Sequence, residues 1–459
     1  MSKLGLSFLS IAVISRIVPR SILGTYFLYI SVVSVVGTLS LIGVGEGLEK
    51  RLSEGKNKAE IFSTGVLIVL LISTLLALLS YIFKSQIESY LNVSIAYVTL
   101  GLFLYILLVG LRKALNGNLA VPNTIFSQFL QKLLFFVFIA FFYYSGRVNI
   151  NAILISYLAS ICIALVYVSI KLPIGISTPT KDAAEKIFTF SIFAGISQVS
   201  EQAYDRTDIL LIGFFLVSSS VSMYEIAWQV SLIPMIIAQS LGAVIRPQLS
   251  EWWVEGKQQL VEDVVYRYFT LTLVLLIPIV VGGCLLAGEL LSNLFTAEYG
   301  AASVVLIILL LEKIPQTVGG IARAILYGLN LPRGLMWVSF CLLVTNIVLN
   351  IILIPTAGIE GAAIATLVSA MAMSVSALWF ASKHIDLRVD WRSLTWSVIS
   401  SVAMALVLVL IDSQFSIDGI PQLLGLVATG GTLYFIVLLA DSHIRTQAVE
   451  TAELLDVSF

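Results

Sequence analysis

The sequence predicts an all-α integral membrane protein of about fourteen transmembrane helices, and three observations predict it. Hydrophobic residues make up 59% of 459 positions, charged residues only 12%, and the mean hydropathy is +1.01. A water-soluble domain carries about a quarter charged residues and has nowhere to hide so much apolar side chain. Charge-free stretches long enough for a bilayer, which takes roughly 20 apolar residues, recur along the whole chain. Lysine and arginine gather in alternate connections, as they do in multi-pass proteins.

Taken in order, the first span is a short run at about 2–18 with no signal-peptide cleavage pattern. Charge-free spans follow at 21–45, 61–83 and 89–111. Residues 114–131 are interrupted by Asn116-Gly117-Asn118 and Pro122-Asn123, which predict a loop entering a fifth span at 126–146. Span 148–170 is the sixth, and the seventh, 187–215, carries charge. Spans 226–245, 268–288, 301–327, 334–359, 361–382, 393–411 and 419–440 complete the set. Residues 250–266, opening on Ser250-Glu251-Trp252-Trp253, predict an interfacial loop with tryptophans at headgroup level.

With the N-terminus placed in the cytoplasm, 18 of the 26 lysines and arginines fall in inside segments, Arg112 and Lys113 among them, and 4 outside. That bias supports cytoplasmic N- and C-termini in a cytoplasmic membrane. Cys162, Cys284 and Cys341 lie far apart in apolar runs, without metal or redox spacing. His384 and His443 sit beside charged loop residues, which argues against histidine catalysis and histidine metal sites. No phosphate-cradling glycine loop ending in Lys-Ser/Thr is present, and a net charge of −1 gives no argument for nucleic acid.

An internal repeat is visible. Tyr26 precedes Leu52-Ser53-Glu54 by 26 residues, and Tyr224 precedes Leu249-Ser250-Glu251 by 25. Arg112 precedes Gly117 by five with Pro122 beyond, and Arg323 precedes Gly328 by five with Pro332 beyond. The order suggests two six-helix lobes, 1–180 and 181–390, related by a pseudo-twofold axis along the membrane normal, followed by two extra helices and a short tail in 391–459.

Ionisable groups inside a membrane are costly and face a cavity or a partner. The densest set is Gln198, Glu201, Gln202, Asp205, Arg206 and Asp208 on the seventh span, which at ~100° per residue occupy an arc of about 160°. Glu312, Lys313, Gln316 and Arg323 share a side of the tenth span, Lys132 joins Gln128 and Gln131 on the fifth, and Glu225 joins Gln229 on the eighth. These groups predict either a hydrophilic central cavity or internal ion pairs that lock helices together. For the stripe on the seventh span the cavity is the favoured reading.

Tyr204-Asp205-Arg206-Thr207-Asp208 through Leu210-Leu211-Ile212-Gly213-Phe214-Phe215-Leu216, with Tyr224 beyond, resembles the signature of polysaccharide and O-antigen flippases. Arg246-Pro247-Gln248-Leu249-Ser250-Glu251 is similar to the end of their eighth helix. Leu349-Asn350-Ile351-Ile352-Leu353-Ile354-Pro355 followed by Gly358-Ile359-Glu360-Gly361 looks like their most recognisable stretch. These flippases belong to the multidrug/oligosaccharidyl-lipid/polysaccharide exporter superfamily. The resemblance implies a non-enzymatic flippase moving a lipid-linked oligosaccharide on a polyprenyl phosphate or pyrophosphate by alternating access. It implies an H⁺ or Na⁺ gradient with no other cofactor, and as partners membrane lipids and a polysaccharide polymerase or glycosyltransferases of the same pathway. Asp205, Arg206 and Asp208 match the signature and are the first candidates for headgroup or ion contact. Glu201, Lys132, Lys313 and Arg323 join them on helix geometry. Glu225 departs from the small or polar residue usual after that tyrosine. The rival within the superfamily is a multidrug or organic-cation antiporter, which would stop at about twelve helices. A membrane-embedded glycosyltransferase or ligase would need a large extramembrane loop that the chain lacks.

Overall fold

The computed structural model describes residues 2–42, 44–329, 332–414 and 419–445; the side chains of 190–203 and a few further positions lie outside the description. The described residues form α-helices and no strand. In chain order these are α1 (Ser2–Ile17), α2 (Arg20–Ser40), α3 (Gly45–Ser53), α4 (Lys58–Ile82), α5 (Lys84–Leu91) and α6 (Ile95–Gly117). Next come α7 (Val121–Tyr144), α8 (Ile150–Lys171), α9 (Lys181–Phe215), α10 (Ser218–Ser231), α11 (Met235–Val254) and α12 (Gln258–Leu285). The rest are α13 (Ala287–Leu294), α14 (Ser303–Gly328), α15 (Pro332–Ser382), α16 (Trp391–Gln414) and α17 (Ile420–Leu438).

Ten described helices are long and apolar enough to cross a membrane. Of the other expected spans, α1 has only 16 residues, and the second half of α9 carries Glu201, Asp205, Arg206 and Asp208. Outward faces are greasy: Leu71, Leu75, Leu78 and Ile82 follow helical spacing on α4, and each is more than half exposed. Such a stripe is stable only against hydrocarbon.

Helix ends follow local chemistry. Asn149 caps α8 by accepting the Ala152 N–H at 2.9 Å, and Thr180 caps α9 by accepting the Ala183 N–H at 3.2 Å. The loop expected to run from 114 shrinks to residues 118–120, with Leu119 taking the turn at φ +61°. Pro122 does not break a helix there but sits in the first turn of α7, where its missing N–H is no loss. The expected interfacial loop at 250–266 is likewise mostly helix, with α11 and α12 meeting at residues 255–257. The repeat landmarks fall at matching places: Gly117 and Gly328 end α6 and α14, and Pro122 and Pro332 open the helices that follow. Within α15, Gly358 adopts φ +61°, which breaks the helix and which a side-chain-bearing residue adopts only with strain.

The chain divides into two compact units, residues 1–225 with 350–358, and residues 226–349 with 359–459. α9 begins at the expected lobe boundary, Lys181, and packs on α2, α3 and α4 in the first unit. Ala183 and Ile187 of α9 join Leu48, Leu52, Ile61 and Ile106 in one core. The connection before α9 is tied to α4: Ser177 N–H donates to Ser63 Oγ at 2.9 Å, Thr180 N–H to Thr64 Oγ1 at 3.1 Å, and the Thr180 hydroxyl to Glu60.

In the second unit the last two helices dock on α12 through a defect in it. Pro278 has no N–H to give the Val274 carbonyl four residues earlier. An unpaired carbonyl in hydrocarbon is expensive. Tyr434 Oη of α17 donates to it at 2.6 Å and Ser397 Oγ of α16 at 3.3 Å. Met404, Leu408, Leu423 and Leu426 close an apolar core around this contact.

Candidate functional site

In the first unit, the inward turn of α9 brings Arg206 to Glu225 of α10, with Nη1 and Oε1 3.2 Å apart. Glu225 is buried at 2%, whereas Arg206 keeps 26% of its side chain accessible. Arg206 is therefore partly accessible, whereas its partner is sealed. Tyr26, Tyr105 and Tyr157, contributed by α2, α6 and α8, lie within electrostatic reach of it. Tyr26 stacks on Phe135 of α7 at 5.2 Å, and Tyr157 meets Tyr26, Tyr29 and Phe135 edge-on at 6.2, 5.9 and 6.3 Å. These contacts fix the rings, and the Tyr29 hydroxyl is anchored on the Tyr97 carbonyl at 2.9 Å. Gly37 of α2 admits the Tyr105 ring, since a Cβ there would come within 2.6 Å of it.

Arg112 of α6 also lies within electrostatic reach of Tyr105 and Tyr157, both of which interact with both arginines. Its Nε and Nη2 donate to Ser127 Oγ of α7 at 3.1 and 3.0 Å, and Nη2 also donates to Gln131 Oε1 at 2.9 Å. The positive-inside count assigned Arg112 to a loop; α6 runs five residues past it and holds it within the helix bundle. Its helical spacing of seven from Tyr105 was the available signal.

The other sequence candidates fall in different places. Asp205 is exposed and within electrostatic reach of Arg206. Asp208 is buried at 4%, accepting from the Tyr224 hydroxyl and from Asn350 Nδ2 at 2.7 Å. The side chain of Glu201 lies outside the described residues. Lys132 is half-buried on α7. Lys313 and Arg323 belong to the second unit. Arg323 is half-buried, whereas Lys313 has no exposure at all: it meets Glu312 at 2.6 Å, donates to Gln316 Oε1 at 3.2 Å and lies 4.1 Å from the Trp228 ring centroid. The structure therefore brings Arg206, Asp205 and Glu225 together and encloses Lys313 among Glu312, Gln316 and Trp228. No set of three His, Cys, Asp or Glu side chains arranged to hold a metal occurs among the described residues.

Comparison with known proteins gives a consistent picture. The model of a family described as "Polysaccharide biosynthesis protein" matches residues 13–304. The chain is 30% identical to the "Probable low-salt glycan biosynthesis flippase Agl15" of Haloferax volcanii, over 97% of this chain and 94% of that protein. It is 26% identical to the "Probable flippase AglR" of the same organism, over 88% of this chain and 86% of that protein. Among solved structures, the lipid II flippase MurJ in an inward closed conformation superposes with a TM-score of 0.77 at 16% identity, over 95% of this chain and 96% of that one. An inward-facing MATE family multidrug resistance transporter of the MOP superfamily superposes at 0.71 and 13% identity, over 83% and 94%. At these identities the structural likeness is one of fold.

Proposed function

The chain belongs to the polysaccharide biosynthesis protein family, and from that premise we propose that it is a flippase for a lipid-linked oligosaccharide in the cytoplasmic membrane. The carrier is a polyprenyl phosphate or pyrophosphate. Its headgroup passes through the hydrophilic interior while the tail stays among lipid chains on the greasy outer faces. The two six-helix lobes, 1–180 and 181–390, alternate access, driven by an H⁺ or Na⁺ gradient, with both termini in the cytoplasm.

One observation carries this reading: a cation, Arg206, paired with Glu225 yet partly accessible, lies within electrostatic reach of Tyr26, Tyr105 and Tyr157. A phosphate leaving water needs a compensating cation, and the guanidinium fork fits its oxygens. Tyrosine rings offer apolar faces to sugar C–H groups and hydroxyls to sugar oxygens. Asp208, a buried carboxylate accepting from Tyr224 and Asn350, is the group assigned to a coupling ion.

The test is extraction and mass spectrometry of polyprenyl-linked glycans from a host lacking the protein. Complete lipid-linked oligosaccharide should accumulate and surface glycan be lost. Wild type should restore both, and Arg206→Ala at equal abundance should not. Unchanged glycolipids with intact surface glycan would overturn the assignment in favour of solute export.

A further inference from the structure

Arg112 carries a charge for which the first unit supplies no carboxylate among the described residues. Its hydrogen-bond acceptors, Ser127 Oγ and Gln131 Oε1, are both neutral. Glu46 and Glu49 hold the neighbouring Lys113 at 2.8 and 3.0 Å, and Glu225 holds Arg206. An ionised group on a membrane helix is costly unless a partner or water meets it. The fold nevertheless half-buries Arg112 and holds it with two α7 side chains. Ser127 and Gln131 occupy Nε and Nη2, so both N–H groups of Nη1 stay without a bond to any described residue. Tyr105 and Tyr157 stand within electrostatic reach, with hydroxyls able to donate to an anion. A guanidinium held by neutral acceptors, with one nitrogen left over, is arranged for an anion that arrives from outside the protein.

We propose that Arg112, positioned by Ser127 and Gln131, is an anion subsite that takes a phosphate of the lipid-linked substrate. This rests on the flippase reading for the source of the phosphate, though not for the existence of the site. Arg206, whose charge Glu225 already balances, is the second and weaker of the two phosphate contacts. The subsite accounts for why α6 runs past Arg112 instead of releasing it to a loop.

The test uses the full chain in detergent micelles, with binding of geranyl pyrophosphate measured by calorimetry. Inorganic pyrophosphate and geraniol serve as comparison probes. Wild type should bind geranyl pyrophosphate more tightly than inorganic pyrophosphate and should not bind geraniol. Arg112→Gln should weaken that binding about tenfold or more, the loss expected for a charge-assisted contact. Arg206→Gln should weaken it less. Arg112→Gln should also be at least as heat-stable as wild type without ligand, because it removes an uncompensated charge; a merely structural arginine would lose stability. Should that variant fail to fold, Arg112→Lys, which keeps the charge without the fork, should still show a measurable loss. Equal binding by wild type and both Arg112 variants, or a larger loss from Arg206→Gln, would overturn the subsite. Equal affinity for the geranyl and inorganic probes would overturn the lipid headgroup as its ligand. If Arg112→Gln loses binding while cells lacking the protein keep normal glycolipids, the subsite stands and the flippase reading fails.

Discussion

Each compact unit holds a cation beside a carboxylate inside the membrane part of the chain, and the two are built differently. In the first, Arg206 meets Glu225 at 3.2 Å and keeps 26% of its side chain accessible. In the second, Lys313 meets Glu312 at 2.6 Å, keeps none, and lies against Trp228. A sealed pair has its charge satisfied by the protein and can meet a solute only if the packing opens. A cation that keeps part of its side chain accessible can meet one as it stands. Charge within a span therefore does not by itself mark a site; accessibility and the balance of nearby charge do.

The strongest way to break the comparison is Lys313→Met. Removing one partner from a fully buried pair should cost about 3–5 kcal/mol, and Glu312→Gln with Lys313→Met should recover most of it. Denaturant unfolding in micelles reads both, and a loss below about 1 kcal/mol for the single variant would show that the pair is not sealed. Next comes Glu225→Gln, which leaves Arg206 a neutral acceptor. It should cost about 1.5–3 kcal/mol by the same measurement and tighten geranyl pyrophosphate binding, since a competing anion is gone. Unchanged or weaker binding would mean that Arg206 does not contribute to holding the ligand. Gly37→Ala should cost about 1–3 kcal/mol, because the new methyl must displace the Tyr105 ring, and it should lower flipping in cells more than an exposed Gly→Ala change.

The smallest effect belongs to a pair outside the spans. Arg392 Nη2 donates to Asp441 at 2.8 Å, and that hydrogen bond holds the Asp441 carboxyl below its ordinary value. A carboxyl depressed in the folded state stabilises it above the unfolded-state value and loses that contribution as pH falls through the folded one. A pH series of melting curves should thus converge for wild type and Arg392→Gln at the acid end and separate above it.

The class of the fold was legible because composition and span length are properties of the chain alone. The stripe expected on α9 was less informative than it looked: Arg206 and Asp208, two residues apart, lie about 160° from one another round the helix and meet different partners. Partners were not legible. Glu225 lies 19 residues and a helix break from Arg206, and nothing in the sequence says that α10 returns toward it. Arg112 was hidden by its neighbour: beside Lys113 it looks like a loop charge, and only the continuation of α6 to Gly117 separates the two. Lys113 turns to Glu46 and Glu49 while Arg112 turns to α7. The closure of Lys313 depends on Trp228, 85 positions earlier.

The carbonyl that Pro278 leaves on Val274 bears on how the chain is made. Its two acceptor contacts come from Ser397 and Tyr434, 123 and 160 residues later. A ribosome delivers α12 to the membrane long before either hydroxyl exists. Until they arrive, that carbonyl has no helix partner and must borrow water or another chain's donor. α12 is then a provisional segment, completed by the last helices synthesised, and a chain stopped before residue 391 would present quality-control machinery with an open polar notch.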